Sequence, residues 1–146
     1  MIRADQLSPT ESARRVQEAL NRVGFACELP RPPSVNSLFR NPSRRDRKPL
    51  GRIKTKAYEA WIAAAGWTLR AARPPRFTGA YELTIAFGRR KGADLDNFAK
   101  AIGDLLVSVH VVRDDSDCER MTLSWADDLP ANRCRIEVKE AKPPRG

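Results

Sequence analysis

Aspartates and one lysine gather in two short stretches of the sequence. Asp94 and Asp96 lie in the stretch DLDNFAK, which ends at Lys100, and the adjacent pair Asp114 and Asp115 follows further along the chain. Clustered aspartate oxygens are hard ligands that suit Mg²⁺ or Mn²⁺, and such ions promote phosphodiester hydrolysis. The first chemistry that these residues indicate is therefore metal-assisted cleavage at a phosphate.

The charge of the whole chain gives these carboxylates a context. The 146 residues carry a formal net charge of +9. Such a charge favours a polyanionic partner, and nucleic acid is the usual one. A solubilising surface or a ribosome-like structural role would also explain the charge by itself. The acidic residues favour a catalytic site, because a cluster of carboxylates in so basic a protein is expected to have a function.

Cysteine and histidine usage argues against several other chemistries. The chain has three cysteines (Cys27, Cys118 and Cys134), no CxxC spacing and a single histidine, His110. These numbers disfavour both a zinc site and a disulfide framework. Each cysteine lies in a segment of alternating apolar residues, so we expect buried free thiols. Without a long apolar run or a signal-peptide pattern, we expect a cytoplasmic, nucleoid-associated protein with no membrane partner.

Hydrophobic periodicity and turn residues predict the elements that position the acidic residues. The turn ADDLPANR between the last two strands predicts an antiparallel hairpin. We expect an α/β fold, a single domain over 1–146, with a mixed sheet of about four strands packed by helices. An additional N-terminal helix precedes it at 8–23, and a disordered tail follows at 141–146. Strands are expected at 25–30, 80–88, 119–125 and 133–140, and helices at 8–23, 55–73 and 96–109.

The predicted helix at 96–109 determines where the acidic residues point. Asp96 and Lys100 are four residues apart, so they share a solvent-facing stripe of that helix. Asp94 lies in extended chain before the helix, where alternation can turn Asp94 and Asp96 towards a common point. Gly103 lies on the same side and leaves room for a bulky ligand. The opposite, buried stripe consists of Leu95, Phe98, Ile102, Leu105 and Leu106.

A purely structural account of the same residues stays open. Asp94 is a plausible helix N-cap, and Asp96 favours the positive end of the helix. The pair of Asp96 and Lys100 would then be an ordinary i,i+4 ion pair. Asp114 and Asp115 would occupy a plain turn after an apolar strand.

A basic loop between residues 34 and 52 supplies a candidate DNA contact. It contains the charge run RRDRK at 44–48 together with Leu38 and Phe39. This combination favours a nucleic-acid-facing loop as much as a solvated surface. The tryptophans of the chain are expected in the core and not as base-stacking platforms. The candidate DNA-binding residues of the loop are Arg44, Arg45, Arg47 and Lys48.

Three stretches together resemble the RusA family of Holliday-junction resolvases. They are LPRPPSVN at 29–36, DLDNFAKAIGDLL at 94–106 and VVRDDSD at 111–117, in the family's order and at about its spacing. The resemblance spans roughly residues 25–140. The Asp-x-Asp-Asn motif with a following lysine and a later Asp-Asp pair is fairly specific, whereas Pro-Pro-Ser-x-Asn is weaker by itself.

The resemblance implies a Mg²⁺-dependent homodimeric endonuclease with a small mixed α/β fold. Such an enzyme resolves four-way DNA junctions by paired symmetric nicks, in recombination and repair, and Mn²⁺ is the other ion to consider. Asp94, Asp96 and Asp115 match the family's metal-binding aspartates, and Lys100 matches its functional lysine. The basic residues before the motif match in character as Arg89, Arg90 and Lys91. Gly92 and Ala93 separate them from Asp94, whereas family members often run arginine up to the aspartate.

Two other classes stay open on the residues alone. One is a non-catalytic protein that binds DNA junctions and has a structural or degenerate metal site. The other is a metal-dependent nuclease that acts on flaps or other branched DNA. The complete set of Asp94, Asp96, Lys100 and Asp115 argues against a degenerate site, but only the resemblance favours four-way junctions over other branches.

Overall fold

The structure is a computed structural model that describes residues 23–43 and 51–141. The described residues form one four-stranded sheet, a short two-stranded ribbon and two α-helices. The ribbon consists of β2 (Phe39–Arg40) and β3 (Ile53–Lys54), and the helices are α1 (Lys56–Ala71) and α2 (Ala99–Ser108). The four-stranded sheet consists of β1 (Gly24–Pro30), β4 (Tyr81–Gly88), β5 (Cys118–Ala126) and β6 (Arg133–Glu140).

The four-stranded sheet is mixed, with the strand order β1-β6-β4-β5. β6 runs antiparallel to both β1 and β4, whereas β4 and β5 are parallel. Because parallel neighbours need a crossover, the chain passes from β4 through α2 to β5 as a βαβ unit. The expected α/β class and the mixed sheet of four strands are confirmed.

The predicted hairpin between the last two strands is wrong, because β4 lies between β5 and β6. The chain leaves β5 at the carboxyl end of the parallel pair and crosses over the end of β4 to enter β6. Gly88 ends β4 directly beneath this crossing, where a Cβ atom would lie 1.8 Å from the carbonyl oxygen of Pro130. Only a residue without a side chain fits there, and turn residues alone could not predict which strand lies between the two.

The core joins one face of the sheet to the two helices. Tyr81, Leu83, Ile85 and Phe87 alternate along β4 and are buried, whereas Glu82 and Thr84 on the other face are half-buried. Thr55 caps α1 by accepting a hydrogen bond from the backbone N–H of Tyr58 at 3.2 Å. The buried residues of α1 are Tyr58, Trp61, Ala65, Gly66 and Leu69, much as the periodicity predicts.

Several smaller predictions are corrected by the burial of single side chains. Trp61 is in the core, but Trp67 is 75% exposed, so the tryptophans do not all pack inside. Leu38 is buried in the core and is therefore unable to contact a nucleic acid. All three cysteines are free thiols, but only Cys134 is fully buried.

Some sequence predictions concern parts of the chain beyond the described residues. They are residues 8–22 of the predicted helix, the charge run at 44–48 and residues 142–146 of the predicted tail. Among the helices of the described ranges, none is long and apolar enough to cross a membrane.

Candidate functional site

The first acidic segment, residues 94–96, follows the carboxyl end of β4. Asp94 is extended, as expected, and a 3₁₀ turn at Leu95–Phe98 precedes α2, which therefore begins three residues later than predicted. Asp94 occupies the N-cap position of this turn, yet its side chain makes no capping hydrogen bond. The proposed structural role of Asp94 as a cap is therefore absent.

The carboxylates of the first acidic segment are exposed. Within the described residues, no hydrogen bond or ion pair holds the side chain of Asp94 or Asp96. Gly103 lies further along α2, and a Cβ atom there would meet nothing within 4 Å. The two carboxylates are thus available to a cation, and the neighbouring helix surface leaves open space.

Lys100 pairs forward along its helix and not back to Asp96. Its Nζ atom lies 3.6 Å from the carboxylate of Asp104, an i,i+4 pair whose two side chains are both partly exposed. The predicted pair with Asp96 is absent because the 3₁₀ turn, with three residues per turn, rotates Asp96 away from the stripe that an α-helix would give it. Asp115 interacts electrostatically with both Lys100 and Asp104, so these three side chains lie near one another.

The second acidic segment, residues 114–117, is largely bound into its own turn. Asp114 accepts a hydrogen bond from the backbone N–H of Ser116 at 3.2 Å, which lowers the pKa of Asp114. Asp117 forms an ion pair with Arg113 at 3.0 Å. Among the described residues, Asp115 has no ion pair and no backbone donor, and a hydrogen bond between its carboxyl and that of Asp114 raises the pKa of Asp115. The structural account of a plain turn therefore describes Asp114 and Asp117 but not Asp115.

The topology separates the two acidic segments. The first segment follows the carboxyl end of β4 and the second precedes the amino end of β5, so in these parallel strands they adjoin opposite ends, joined by α2. Within residues 23–43 and 51–141, no three His, Cys, Asp or Glu side chains form a group that could hold a metal ion. The oxygen donors nevertheless suit Mg²⁺, which needs only one or two protein carboxylates when water and substrate phosphates complete its shell.

Basic side chains lie between β4 and the first acidic segment. Arg89, Arg90 and Lys91 are all exposed, and Arg89 forms an ion pair with Asp127 at 3.0 Å. Gly92 follows with a φ angle of 79°, a left-handed conformation that favours glycine. The glycine that departs from the family's pattern therefore makes the turn that leads to Asp94.

Arg31 also lies at the carboxyl end of β4, and the sequence patterns do not predict it as a site residue. The guanidinium of Arg31 lies 4.9 Å from the ring centroid of Phe98 and 5.9 Å from that of Trp125. Its Nη2 atom donates a hydrogen bond to the carbonyl oxygen of Gly88. The only sequence signal was an arginine between two prolines in LPRPPSVN, a position that the resemblance does not single out.

The fold and the site define an α/β protein with two exposed aspartates, unpartnered among residues 23–43 and 51–141, beside a basic cluster at the carboxyl end of a parallel strand pair. No family model matches the chain, and no curated protein matches it either. In open α/β sheets, ligands bind outside the carboxyl ends of the strands, which is where Asp94, Asp96 and Arg31 lie.

Proposed function

We propose that the chain is a Mg²⁺-dependent endonuclease that resolves four-way DNA junctions by paired symmetric nicks. The observation that carries the proposal is the exposure of the Asp94 and Asp96 carboxylates, without partners among the described residues, directly after the basic cluster at 89–91. The resemblance of three sequence stretches to the RusA family supports the junction as substrate. In the cell such an enzyme would act in DNA recombination and repair.

Each part of the site has a task in this proposal. Arg89, Arg90 and Lys91 attract the DNA backbone, because a polyanion would otherwise be repelled by the aspartates. Asp94 and Asp96 are the proposed ligands of the metal, whereas Asp115, the third carboxylate that the resemblance implies, adjoins the opposite end of the strand pair and is not part of the proposed site. Mg²⁺ supplies a bound water of lowered pKa and neutralises charge on the reacting phosphate.

Lys100 brings a positive charge between the two acidic segments. Its Nζ atom lies 3.6 Å from Asp104, and it interacts electrostatically with Asp115. Because Lys100 is 58% exposed, its ammonium group can also reach a bound phosphate. We infer that Lys100 stabilises negative charge on the phosphate that is being cleaved.

The proposed active assembly is a homodimer. One chain offers a single set of the proposed catalytic residues, whereas resolution of a junction requires two nicks in symmetry-related strands. A two-fold dimer presents two sets to a substrate of matching symmetry. In mixtures of wild-type and Asp96→Asn protein, we therefore expect heterodimers that nick one strand only.

A synthetic four-way junction that cannot branch-migrate tests the proposed function directly. We expect paired, symmetric nicks in Mg²⁺ and binding without nicks in EDTA. A flap substrate and a linear duplex of the same sequence serve as controls for substrate choice. Preferential cleavage of the flap, or nicks in EDTA equal to those in Mg²⁺, would contradict the proposal.

A second candidate is a junction-binding protein without nuclease activity. The observation that favours it is that no three candidate ligands come together within the described residues. On this alternative, the protein binds the junction with equal affinity in Mg²⁺, Mn²⁺ and EDTA and leaves every strand intact. Strand analysis on a denaturing gel distinguishes the two candidates.

A further inference from the structure

Arg31 lies where β1 ends, among residues from three other parts of the chain. Its backbone N–H donates to the carbonyl oxygen of Asn132 at 2.9 Å, and its side chain donates to that of Gly88. The rings of Phe98 and Trp125 lie beside the guanidinium. Since Phe98 ends the 3₁₀ turn that contains Asp96, Arg31 adjoins the first acidic segment.

Two of the nitrogen atoms of Arg31 lack an acceptor. Its Nε and Nη1 atoms are buried and have no hydrogen-bond partner in the part of the chain that the structure describes. A buried donor without an acceptor costs free energy, and the cost is higher when the group is charged. A side chain that served only to stabilise the fold would have its donors satisfied, so these two atoms indicate an absent acceptor.

The two carboxylates of the chain between β5 and β6 are bonded to other arginines, and no hydrogen bond joins Arg31 to Asp94 or Asp96 within the described residues. Asp127 is bonded to Arg89 at 3.0 Å, and Asp128 is bonded to Arg135 at 2.6 Å. Burial, together with the positive charge of Arg90, lowers the pKa of Arg31. Arg31 thus has a second positive charge nearby and no described carboxylate bonded to it, which favours an anion from outside the chain.

We propose that Arg31 binds a phosphate oxygen of the DNA backbone beside the 3₁₀ turn that contains Asp96. This inference rests on the proposed function, because it assigns a further contact to the same substrate. A guanidinium forms strong charge-assisted hydrogen bonds with phosphate and stacks on aromatic rings, so Phe98 and Trp125 orient it while they exclude water. Arg31 as a whole residue is only half-buried, so part of it adjoins the surface.

The variant Arg31→Met separates this role from a structural one. Methionine keeps a long side chain that packs against aromatic rings, but it removes the charge and the unsatisfied donors. Without DNA, we expect the melting temperature of Arg31→Met to equal or exceed that of the wild type. In EDTA, we expect the slope of log K against log salt for binding to a duplex-armed junction to decrease by about 0.9, the value for one lost phosphate contact.

The matched control is Arg76→Met. Arg76 is exposed and precedes the amino end of β4, whereas Arg31 bonds to Gly88 at the carboxyl end. We expect Arg76→Met to leave the salt slope unchanged. Arg31→Lys keeps the charge without the planar group, so it should retain the slope and bind more weakly at every salt concentration.

An Arg31→Met protein with the wild-type salt slope would overturn the proposal, as would a lowered melting temperature with unchanged binding. A wild-type protein that does not bind DNA would overturn it as well. The measurement needs no cleavage, so its outcome is separable from that of the proposed function. If Arg31→Met lowers the salt slope but the wild type never nicks a junction, only the proposed nuclease activity is refuted. If the wild type nicks junctions but Arg31→Met keeps the wild-type salt slope, only the Arg31 contact is refuted.

Discussion

Just before β5, Asp114 and Asp117 are held by neighbouring groups, whereas after the carboxyl end of β4 two aspartates have no partner among the described residues. Asp114 accepts from Ser116, and Asp117 is bonded to Arg113, just before β5 begins. After β4 ends, the carboxylates of Asp94 and Asp96 have no partner within the described residues. Aspartate therefore completes a turn at the amino end of β5, whereas after the carboxyl end of β4 it has no partner among the described residues.

This comparison separates the charges that the fold requires from those that it does not. A carboxylate that caps a turn or pairs with an arginine contributes to stability, so its presence needs no further reason. Exposed aspartates without partners contribute little to the turn in which they lie, beyond the favourable position of Asp96 in the first turn, and Arg31 has two donors that the described residues leave unsatisfied. Departures from local consistency are expected at functional sites. We therefore assign function to the carboxyl end first.

The largest effect that we expect comes from Asp96→Asn. Asparagine is nearly the same shape, and the wild-type carboxylate has no partner to lose among the described residues, so the unfolding free energy should hardly change. Cleavage of a four-way junction in Mg²⁺ should fall by more than about 100-fold. Loss of a residue that only supports a metal ligand costs up to that much, and Asp96 is itself a proposed ligand. Junction binding in EDTA should persist. Gel-based cleavage and thermal melting of the same preparation measure both quantities.

Asp117→Asn is the matched control for that variant, because it changes the same residue type in the other acidic segment. It removes one partner of the ion pair with Arg113. We expect a loss of about 1 kcal/mol of unfolding free energy, because Arg113 donates two hydrogen bonds and the Asp117 side chain is only 15% exposed, with cleavage unchanged. If Asp117→Asn lost cleavage and Asp96→Asn kept it, the assignment of function to the carboxyl end of β4 would be wrong.

The next largest effect concerns Gly88, which lies at the carboxyl end of β4 beneath the chain that crosses from β5 to β6. An added Cβ would lie 1.8 Å from the carbonyl oxygen of Pro130 and 2.9 Å from that of Leu129. Backbone atoms cannot move aside cheaply, so Gly88→Ala should lower the unfolding free energy by at least about 1–3 kcal/mol. Denaturant unfolding measures the loss.

Gly103→Ala is the control for this substitution. It places the same methyl group in the middle of α2, where nothing lies within 4 Å. Because alanine is the better helix former, stability should rise by up to about 1 kcal/mol. A Gly88→Ala protein as stable as Gly103→Ala would mean that the chain does not cross β4 as described.

The sequence predicts local elements well because each has its own periodicity. The alternation from Tyr81 to Phe87 and the helical spacing from Tyr58 to Leu69 both correspond to observed buried faces. The order of the strands has no such local signal. The turn after β5 contains residues typical of a hairpin, and only the tertiary structure reveals that β4 occupies the place beside β6.

The candidate site shows the same limit. Spacing predicts the exposed aspartates at 94 and 96 and the open surface at Gly103, since both depend on neighbours in sequence. The pairing of Lys100 was predicted with Asp96 but occurs with Asp104, because a 3₁₀ turn precedes the helix. The contacts of Arg31 join residues far apart in the chain, so no pattern in one sequence could have indicated them.

The last effect that we expect lies at the amino end of β4 and is absent at neutral pH. Burial, together with the nearby Cys118 thiol and the carboxylates of the second acidic segment, raises the pKa of Tyr81 to about 12. An unfolded tyrosine titrates near its ordinary pKa of about 10. Between these values the folded protein keeps a proton that the unfolded chain has lost, so stability falls as the pH rises.

Tyr81→Phe removes this group and should remove that part of the fall. Between pH 10 and pH 12, the unfolding free energy of the wild type should fall by up to about 2 kcal/mol more than that of Tyr81→Phe. Burial also raises the pKa of the Cys134 thiol to about 12, so both proteins keep a decline that begins below pH 10. Urea unfolding at graded pH measures the difference. If the amino end serves the fold alone, Tyr81→Phe cleaves junctions like the wild type at pH 8, and a loss of cleavage there would extend the functional site across the whole length of β4.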